Sequence, residues 1–212
     1  MPETSGYASH LGILGEVCDV LKPRDAIEFG CGYHSTPYLL DRCEELLSIE
    51  LNREWLYKVE ERLTESQRKR WVRMPITNEL LVWLMPGVMH ETGLVLVDGA
   101  DYRARKDVAQ ACMLFQTARV VVCHDSERME YNYDQVMLPE GWQCIRIEEE
   151  MPWTSVYTTD GGLASALSGH RQTVCRSTWE MRNIRYPSIK SYEEQQRDKA
   201  ITAAGGTVLA GE

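Results

Sequence analysis

The sequence predicts an α/β fold with a doubly wound, mostly parallel seven-stranded sheet and a C-terminal antiparallel hairpin. Short apolar runs alternate five times with segments of helical periodicity, a pattern that places helices on both faces of a parallel sheet. The runs LVLVDG (94–99) and ARVVVCHD (118–125) lack polar alternation, as expected for strands buried on both faces. Runs at 142–148 and 153–159 have no helix between them, which is typical of antiparallel pairing.

The remaining elements follow in chain order from spacing and turn signals. Further strands are predicted at 26–30, 46–50 and 72–77. Helices are predicted at 7–21, 36–47, 53–63, 78–90 (broken at Pro86-Gly87) and 105–117. Ser35 is the expected cap of the second helix, with Pro37 in its first turn. Leu56, Val59 and Leu63 are expected inside, as are Val108, Ala111, Cys112, Met113 and Phe115.

The chain of 212 residues suits one compact domain with an extension. We assign residues 1–162 to that domain, with a helix within 1–22 packing on it. Residues 163–212 form a C-terminal extension with a frayed end, and Ser191 with Glu194 predicts a last helix there. The extension is a substrate lid or an oligomer contact, and the alternative is a solvated tail laid over the sheet edge.

Composition and charge narrow the function. A net charge of -9 disfavours a protein built to grip nucleic acid, which would present a basic face. No apolar run is long enough to span a bilayer and no leader pattern precedes the first helix, so we expect a cytoplasmic protein that does not engage a membrane. The 7 cysteines are scattered and lack a C-x-x-C pair, which predicts buried thiols and no structural zinc.

The most informative stretch is EFGCG, at the end of the first strand. Gly30 and Gly32 permit close approach of a ligand to the backbone, and the following helix start offers free N–H groups to an anion. Ser35 stands where a dinucleotide site normally has a third glycine, which weakens an NAD interpretation. Glu50 ends the second strand, where a carboxylate can accept hydrogen bonds from both hydroxyls of a ribose.

The combination E-F-G-C-G-x-x-S-T, then S-I-E, then V-D-G and the closing hairpin resembles the class I S-adenosylmethionine (SAM)-dependent methyltransferases over residues 7–160. This resemblance implies a Rossmann-like methyltransferase fold and SAM as cofactor. It also implies that Glu50 binds the ribose and that Ile76, between Pro75 and Thr77, packs against the adenine. The resemblance further implies that the methionine portion of SAM contacts Glu28, Gly30, Cys31 and Gly32. Ser35 and Asp98 complete the implied set of cofactor contacts.

Candidate catalytic residues follow the fourth and fifth strands, whose ends lie next to the first. At the end of the fourth strand lie Asp98, Asp101, Tyr102 and Arg103. At the end of the fifth strand lie His124, Asp125, Ser126, Glu127 and Arg128. The H-D-x-x-R run also resembles the glucuronoxylan O-methyltransferases, which implies that His124 or Asp125 is the general base. Arg103 or Arg128 would then pair with a substrate carboxylate. For Asp98, Asp101 and His124 the alternative is a structural role in capping or ordering a loop.

A resemblance to the catechol O-methyltransferase group raises the question of Mg²⁺, with Asp98 and Asp125 as ligands. Ser126 stands where that group has Asn, so the metal remains an alternative. V-D-G-A-D also lacks the motif of base-directed N-methyltransferases. The prediction is therefore O-methylation of a small-molecule or sugar hydroxyl, with a homodimer left open. The alternatives are an NAD(P)- or nucleotide-binding oxidoreductase or epimerase, and a non-catalytic SAM-binding protein.

Overall fold

The computed structural model describes residues 9–76, 92–99, 104–116, 118–149 and 152–182. The helices are α1 (Leu11–Leu21), α2 (Ser35–Leu40), α3 (Arg53–Glu60), α4 (Glu65–Lys69), α5 (Ala104–Leu114), α6 (Gly161–Ala166) and α7 (Thr178–Arg182). The strands are β1 (Asp25–Phe29), β2 (Glu45–Glu50), β3 (Trp71–Pro75), β4 (Leu94–Val97), β5 (Val120–His124), β6 (Gln143–Ile147), β7 (Thr154–Thr158) and β8 (Gln172–Cys175).

The strands form one sheet in the order β3-β2-β1-β4-β5-β7-β6-β8. The pairs among β1 to β5 are parallel, while β7 is antiparallel to both β5 and β6. The chain order reverses at β1, which has β2 on one side and β4 on the other. Ligands of such sheets bind beyond the carboxyl ends of the strands at this point. The predicted doubly wound fold and closing hairpin are thus confirmed.

Alternate residues of the central strands pack into two separate cores. Leu94 and Leu96 of β4 face the core covered by α1, α2, α3 and α6. Val95 and Val97 face the second core, which includes residues of α5 and α7. All four residues are fully buried, which explains why β4 has no polar alternation.

Helix faces follow the predicted spacing, with one exception. Leu56, Val59 and Leu63 are all buried, and Asn52 caps α3 by accepting from the N–H groups of Glu54 and Trp55. In α5, Val108, Ala111, Cys112 and Met113 are buried as predicted. Phe115 was predicted inside but is exposed: the helix ends at Leu114, and Phe115 lies in the turn that follows, where Gln116 has φ +53°.

The second helix differs from the prediction in length and in its cap. It covers only Ser35–Leu40, with Pro37 in its first turn as predicted. The predicted cap at Ser35 is wrong: His34 precedes the helix without a side-chain cap, and the Ser35 hydroxyl donates to Glu28 instead. The predicted helices at 78–90 and around 191–194 lie outside the described residues.

The described part of the C-terminal extension packs on the rest of the fold. β8 adds an eighth strand, antiparallel to β6, and α6 contacts α1. Whether the extension acts as a lid or an oligomer contact stays a prediction. All 7 cysteines lie within the described ranges and are buried free thiols, as predicted. Among the described residues, no helix is long and apolar enough to cross a membrane.

Candidate functional site

The glycine turn after β1 is pressed against the end of β4. Gly30 has φ +91°, and a Cβ built on it would lie 2.0 Å from the Cα of Gly99. The carbonyl of Phe29 accepts hydrogen bonds from the N–H groups of Asp98 and Gly99, at 3.0 and 2.6 Å. A side chain at either glycine would push the two strand ends apart, so the turn requires glycine at both positions.

The buried carboxyl of Glu28 is linked to this turn by hydrogen bonds. Glu28 is fully buried and accepts hydrogen bonds from the hydroxyls of Ser35 (3.3 Å), Thr36 (2.6 Å) and Ser48 (2.5 Å). The N–H of Gly32 donates to the Thr36 hydroxyl, at 2.9 Å, so the chain of hydrogen bonds reaches the turn itself. Burial raises the pKa of Glu28 to about 8, against the opposing effect of the three donors.

Glu50 joins the end of β2 to the same turn. Its Oε2 accepts from the N–H of Cys31 at 3.2 Å, and its Oε1 accepts from the N–H of Asn52 at 2.8 Å. The indole N–H of Trp55 donates to the Cys31 carbonyl at 2.7 Å, so both backbone polar groups of Cys31 have a hydrogen-bond partner. The Cys31 sulfur lies 3.7 Å from Oε2, and its thiol is a third, weak donor. A carboxylate has about four acceptor positions, so the two N–H groups and this weak donor leave capacity for a further hydroxyl.

The ends of β4 and β5 bring an aspartate and a histidine into direct contact. Asp98 Oδ1 lies 2.8 Å from Nδ1 of His124, whose Nε2 lies 3.1 Å from the hydroxyl oxygen of Ser9. Burial alone would lower the pKa of His124, but the hydrogen bond and charge of Asp98 outweigh it and the pKa is raised. Burial alone would raise the pKa of Asp98, but its interactions with His124, His10 and Arg105 lower it.

Arg105 contacts both of the aspartates that the sequence predicts as catalytic residues. Its guanidinium donates to the carbonyl of Asp98 at 2.6 Å and to the carboxylate of Asp125 at 3.3 Å, and it stacks over the Tyr131 ring at 4.2 Å. Asp125 has φ +56°, a left-handed conformation that is uncommon outside glycine and recurs at functional sites. Because one Arg105 nitrogen lies within 3.9 Å of both carboxylates, it would compete with Mg²⁺, which the sequence left as an alternative with Asp98 and Asp125 as ligands.

His10 belongs to this cluster although the sequence did not indicate it. It directly precedes α1, its ring centroid lies 4.3 Å from that of His124, and its Nε2 lies 4.0 Å from Asp98 Oδ2. The side chain is buried, and neither ring nitrogen has a hydrogen-bond partner among the described residues. Burial lowers the pKa of His10 to about 4, so the ring is neutral at physiological pH.

Comparison with known proteins identifies the fold. No family model matches the sequence, and no curated protein matches it. Among solved structures, a candidate O-methyltransferase from Klebsiella pneumoniae is similar with a TM-score of 0.58 at 13% identity, over 74% of this chain and 83% of that one. The O-methyltransferase TomG of Streptomyces achromogenes, involved in tomaymycin synthesis and solved with SAM, gives 0.54 at 15% identity, over 76% and 84%.

A third similar structure is SMU.1697c of Streptococcus mutans, solved with S-adenosylhomocysteine (SAH). It gives a TM-score of 0.52 at 9% identity, over 68% of this chain and 96% of that one. At identities of 9% to 15%, these likenesses concern the fold alone. The chain has the class I methyltransferase fold.

Within this methyltransferase fold, the predicted residues separate into three groups. Gly30, Cys31, Gly32 and Glu50 meet at the glycine turn, and the N–H of Ile76, just after β3, donates to the Glu50 carbonyl at 2.9 Å. Glu28 and Ser35 lie beneath that turn, and their predicted contact with the cofactor stays a prediction. Asp98, His124 and Asp125 meet at the ends of β4 and β5.

The other residues named from the strand ends are placed differently. Asp101, Tyr102 and Arg103 lie outside the described residues. Glu127 is buried, and its carboxylate accepts from the N–H of Trp153 at 2.7 Å, which ties it to the start of β7. Arg128 pairs with Glu130 at 2.6 Å. Six further residues of the site carry no signal in the sequence that predicts them: Ser9, His10, Thr36, Ser48, Trp55 and Arg105.

Proposed function

We propose that this protein is a SAM-dependent methyltransferase that methylates a hydroxyl oxygen of a small-molecule or carbohydrate-like acceptor. The observation that carries the proposal is the arrangement of Glu50 beside the glycine turn. Two backbone N–H groups orient its carboxylate. The third donor is the Cys31 thiol, a weak donor that a ribose hydroxyl would replace, and the acceptor positions then suit the two ribose hydroxyls of SAM. The carboxylate and the turn together match the two ends of one ligand, its ribose and its methionine portion.

The other cofactor contacts follow from the same strand ends. In this proposal the backbone at Gly30 to Gly32 lies against the methionine portion, where the lack of side chains allows close approach. Ile76 is buried directly after β3 and packs against the adenine. Asp98 follows β4, which lies on the other side of β1 from the strand that ends in Glu50, and we assign it to the amino group of the cofactor.

The acceptor hydroxyl meets the cluster at the ends of β4 and β5. Methyl transfer is an in-line displacement, so the protein must place the hydroxyl close to the sulfonium methyl and remove its proton. We assign proton removal to Asp125 rather than to His124, because Asp98 and Ser9 engage both ring nitrogens of His124. His124 and Asp98 act as positioning residues, and the predicted pairing of Arg103 or Arg128 with a substrate carboxylate stays part of the proposal.

Cofactor binding tests the central claim. The wild-type protein should bind SAM and SAH in calorimetry and show a higher melting temperature with either, while NAD produces neither effect. Glu50→Ala should remove SAM binding, and Glu45→Ala, an exposed glutamate at the start of the same strand, should leave it unchanged. A response to NAD and none to SAM would overturn the proposal in favour of a nucleotide-dependent oxidoreductase or epimerase.

Transfer itself is tested with methyl-labelled SAM and a panel of sugars, sugar acids and catechols. With an acceptor from this panel, Asp125→Asn should keep its SAM affinity and lose at least about a hundredfold in turnover, the range of general-base catalysis. Turnover that persists in Asp125→Asn and disappears in His124→Gln would reassign the base to His124. SAM binding without methylation of any acceptor would favour the non-catalytic alternative.

A further inference from the structure

We propose that His10, Asp98 and His124 form a binding site for a divalent transition-metal cation. The three residues come from distant parts of the chain: the residue before α1, the end of β4 and the end of β5. One ligand atom from each lies within 4.8 Å of the other two. Ligand atoms of a tetrahedral site lie about 3.4 Å apart, so small side-chain adjustments would complete this one.

The first argument for a cation is that the buried His10 ring lacks hydrogen-bond partners among the described residues. Its side chain is only 1% exposed, and both nitrogens lack a hydrogen-bond partner among the described residues. Leaving such a group unsatisfied is unfavourable, so buried polar groups normally have a partner. The nearest carboxylate is Asp98, whose Oδ2 lies 4.0 Å from Nε2 of His10. That distance exceeds a hydrogen bond, but an ion between the two atoms would bind both.

The hydrogen atoms around His124 are the second argument. The Ser9 hydroxyl oxygen lies 3.1 Å from the Pro152 carbonyl and 3.1 Å from Nε2 of His124. Its single proton can serve only one of them, so both contacts are hydrogen bonds only when Ser9 donates to Pro152 and His124 donates from Nε2. The Nδ1 atom then faces an Asp98 oxygen at 2.8 Å, and two lone pairs at this distance require a cation between them.

A proton fits this 2.8 Å separation as it stands, whereas a metal ion bound to both atoms would require them to move apart to the ~3.4 Å of a tetrahedral site. His10 distinguishes the two. A proton satisfies His124 and Asp98 alone, whereas a metal ion also gives the His10 nitrogen a partner. The surroundings fit a cation, because Asp98 and Asp125 carry two negative charges against one positive charge on Arg105. Ser9 in turn fixes the tautomer of His124 in the manner of second-shell partners of metal-bound histidines.

The donor set indicates which metals would bind. Two imidazoles and one carboxylate suit Zn²⁺, Fe²⁺, Co²⁺ or Mn²⁺, whereas Mg²⁺ and Ca²⁺ prefer oxygen ligands throughout. Three protein ligands leave positions open for a further oxygen. If the proposed methyltransferase function holds, on which this last step rests, the acceptor hydroxyl would bind there. The metal would lower its pKa, and Asp125 would take the proton.

Metal binding can be measured without any cofactor or acceptor. Full-length protein, stripped with EDTA and desalted, should bind one Co²⁺ per chain and develop weak visible absorption bands. Strong near-ultraviolet absorption would instead indicate cysteine ligands and overturn the site. Zn²⁺ should displace the Co²⁺ and raise the melting temperature of the stripped protein. The absence of Co²⁺ and Zn²⁺ binding by the wild-type protein would also overturn the site.

Matched histidine variants locate the bound ion. His10→Ala should weaken Co²⁺ binding by at least about tenfold, while His170→Ala, which removes a surface histidine paired with Glu16 and Glu149, should leave it unchanged. Equal effects in both variants would overturn the assignment. If His10→Ala does not fold, the wild-type Zn²⁺ shift decides instead. SAM binding by the stripped protein is measured separately, so loss of the metal site and loss of the proposed function are distinguishable.

Discussion

Replacing Glu28 with glutamine should abolish a large part of the pH dependence of stability. Burial raises the pKa of this carboxyl from 4.5 to about 8 in the folded protein. Below pH 4.5 the group is protonated in both the folded and the unfolded chain. Between the two values only the folded chain keeps the proton, so the free energy of unfolding falls as the pH rises. Above pH 8 the group is ionised in both states and the loss is complete.

The magnitude follows from the width of this window. Each pH unit inside this window lowers the free energy of unfolding by about 1.4 kcal/mol. Raising the pH from 5.5 to 7.5 should therefore lower the free energy of unfolding by about 2.7 kcal/mol. Glutamine fits the site without an orphaned group. Its carbonyl oxygen can accept from Thr36 and Ser48, which both contact Oε1 of Glu28, and its amide can donate to the Ser35 oxygen near Oε2.

The assay is urea unfolding at pH 5.5 and pH 7.5 of the wild-type protein, Glu28→Gln and the exposed control Glu45→Gln. The wild type and the control should lose about 2.7 kcal/mol more than Glu28→Gln between the two pH values. Equal losses in all three proteins would refute the reasoning. That result would mean that the three hydroxyl donors keep Glu28 ionised in spite of its burial.

Two further predictions concern the glycine turn and the thiols. Gly30→Ala should lower the free energy of unfolding by at least about 3 kcal/mol, because it adds backbone strain at φ +91° and a collision with Gly99. Gly12→Ala in α1, where a Cβ meets nothing within 4 Å, should instead stabilise the protein by about 0.5–1 kcal/mol in the same unfolding assay; an unchanged Gly30→Ala would contradict the close approach. The 7 buried thiols should react slowly with a disulfide reagent in the native protein and fully in denaturant, since burial raises the pKa of Cys43 to about 11 and of Cys18 to about 12. Rapid labelling of the folded chain would contradict their placement.

The sequence predicted the parts of this fold that depend on local periodicity. The unbroken apolar run of β4 and the inward positions Val108 and Cys112 of α5 were found as expected, because burial on a regular element repeats at fixed spacing. Phe115 shows the limit of that reasoning. Spacing gives the face of a helix but not its last residue, and one residue past the end the side chain points to solvent.

Elements that depend on distant partners were not predicted. The hydroxyl of Ser35 was expected to cap a helix, but it donates a hydrogen bond to the buried carboxyl of Glu28. The hydroxyl of Ser48, from the next strand, donates to the same carboxyl. β8 was overlooked because only Cys175 of its 4 residues is buried at this edge of the sheet, and the strand carries no alternating pattern. Both errors arose because tertiary contacts overrode a short local signal.

Some residues of the candidate site were predicted from local spacing, and others became apparent only from the folded structure. Gly30, Gly32 and Glu50 were found from their spacing, and the fold brings them together. Ser9 and His10 carry no local signature beyond their place before a helix. The contact between Ser9 and His124 joins residues 115 positions apart, so it was apparent only from the folded structure.

Arg105 explains how the ends of β4 and β5 become one site. Residues that follow two strands need not face each other, yet this side chain of α5 donates to the Asp98 carbonyl and to the Asp125 carboxylate. It also stacks over the Tyr131 ring at 4.2 Å, a further contact that restricts its position. Arg105 thereby offsets one of the two negative charges and leaves the other for a proton or a metal ion at His124. The chemistry of the strand ends therefore depends on a helix residue that no strand-end motif would identify.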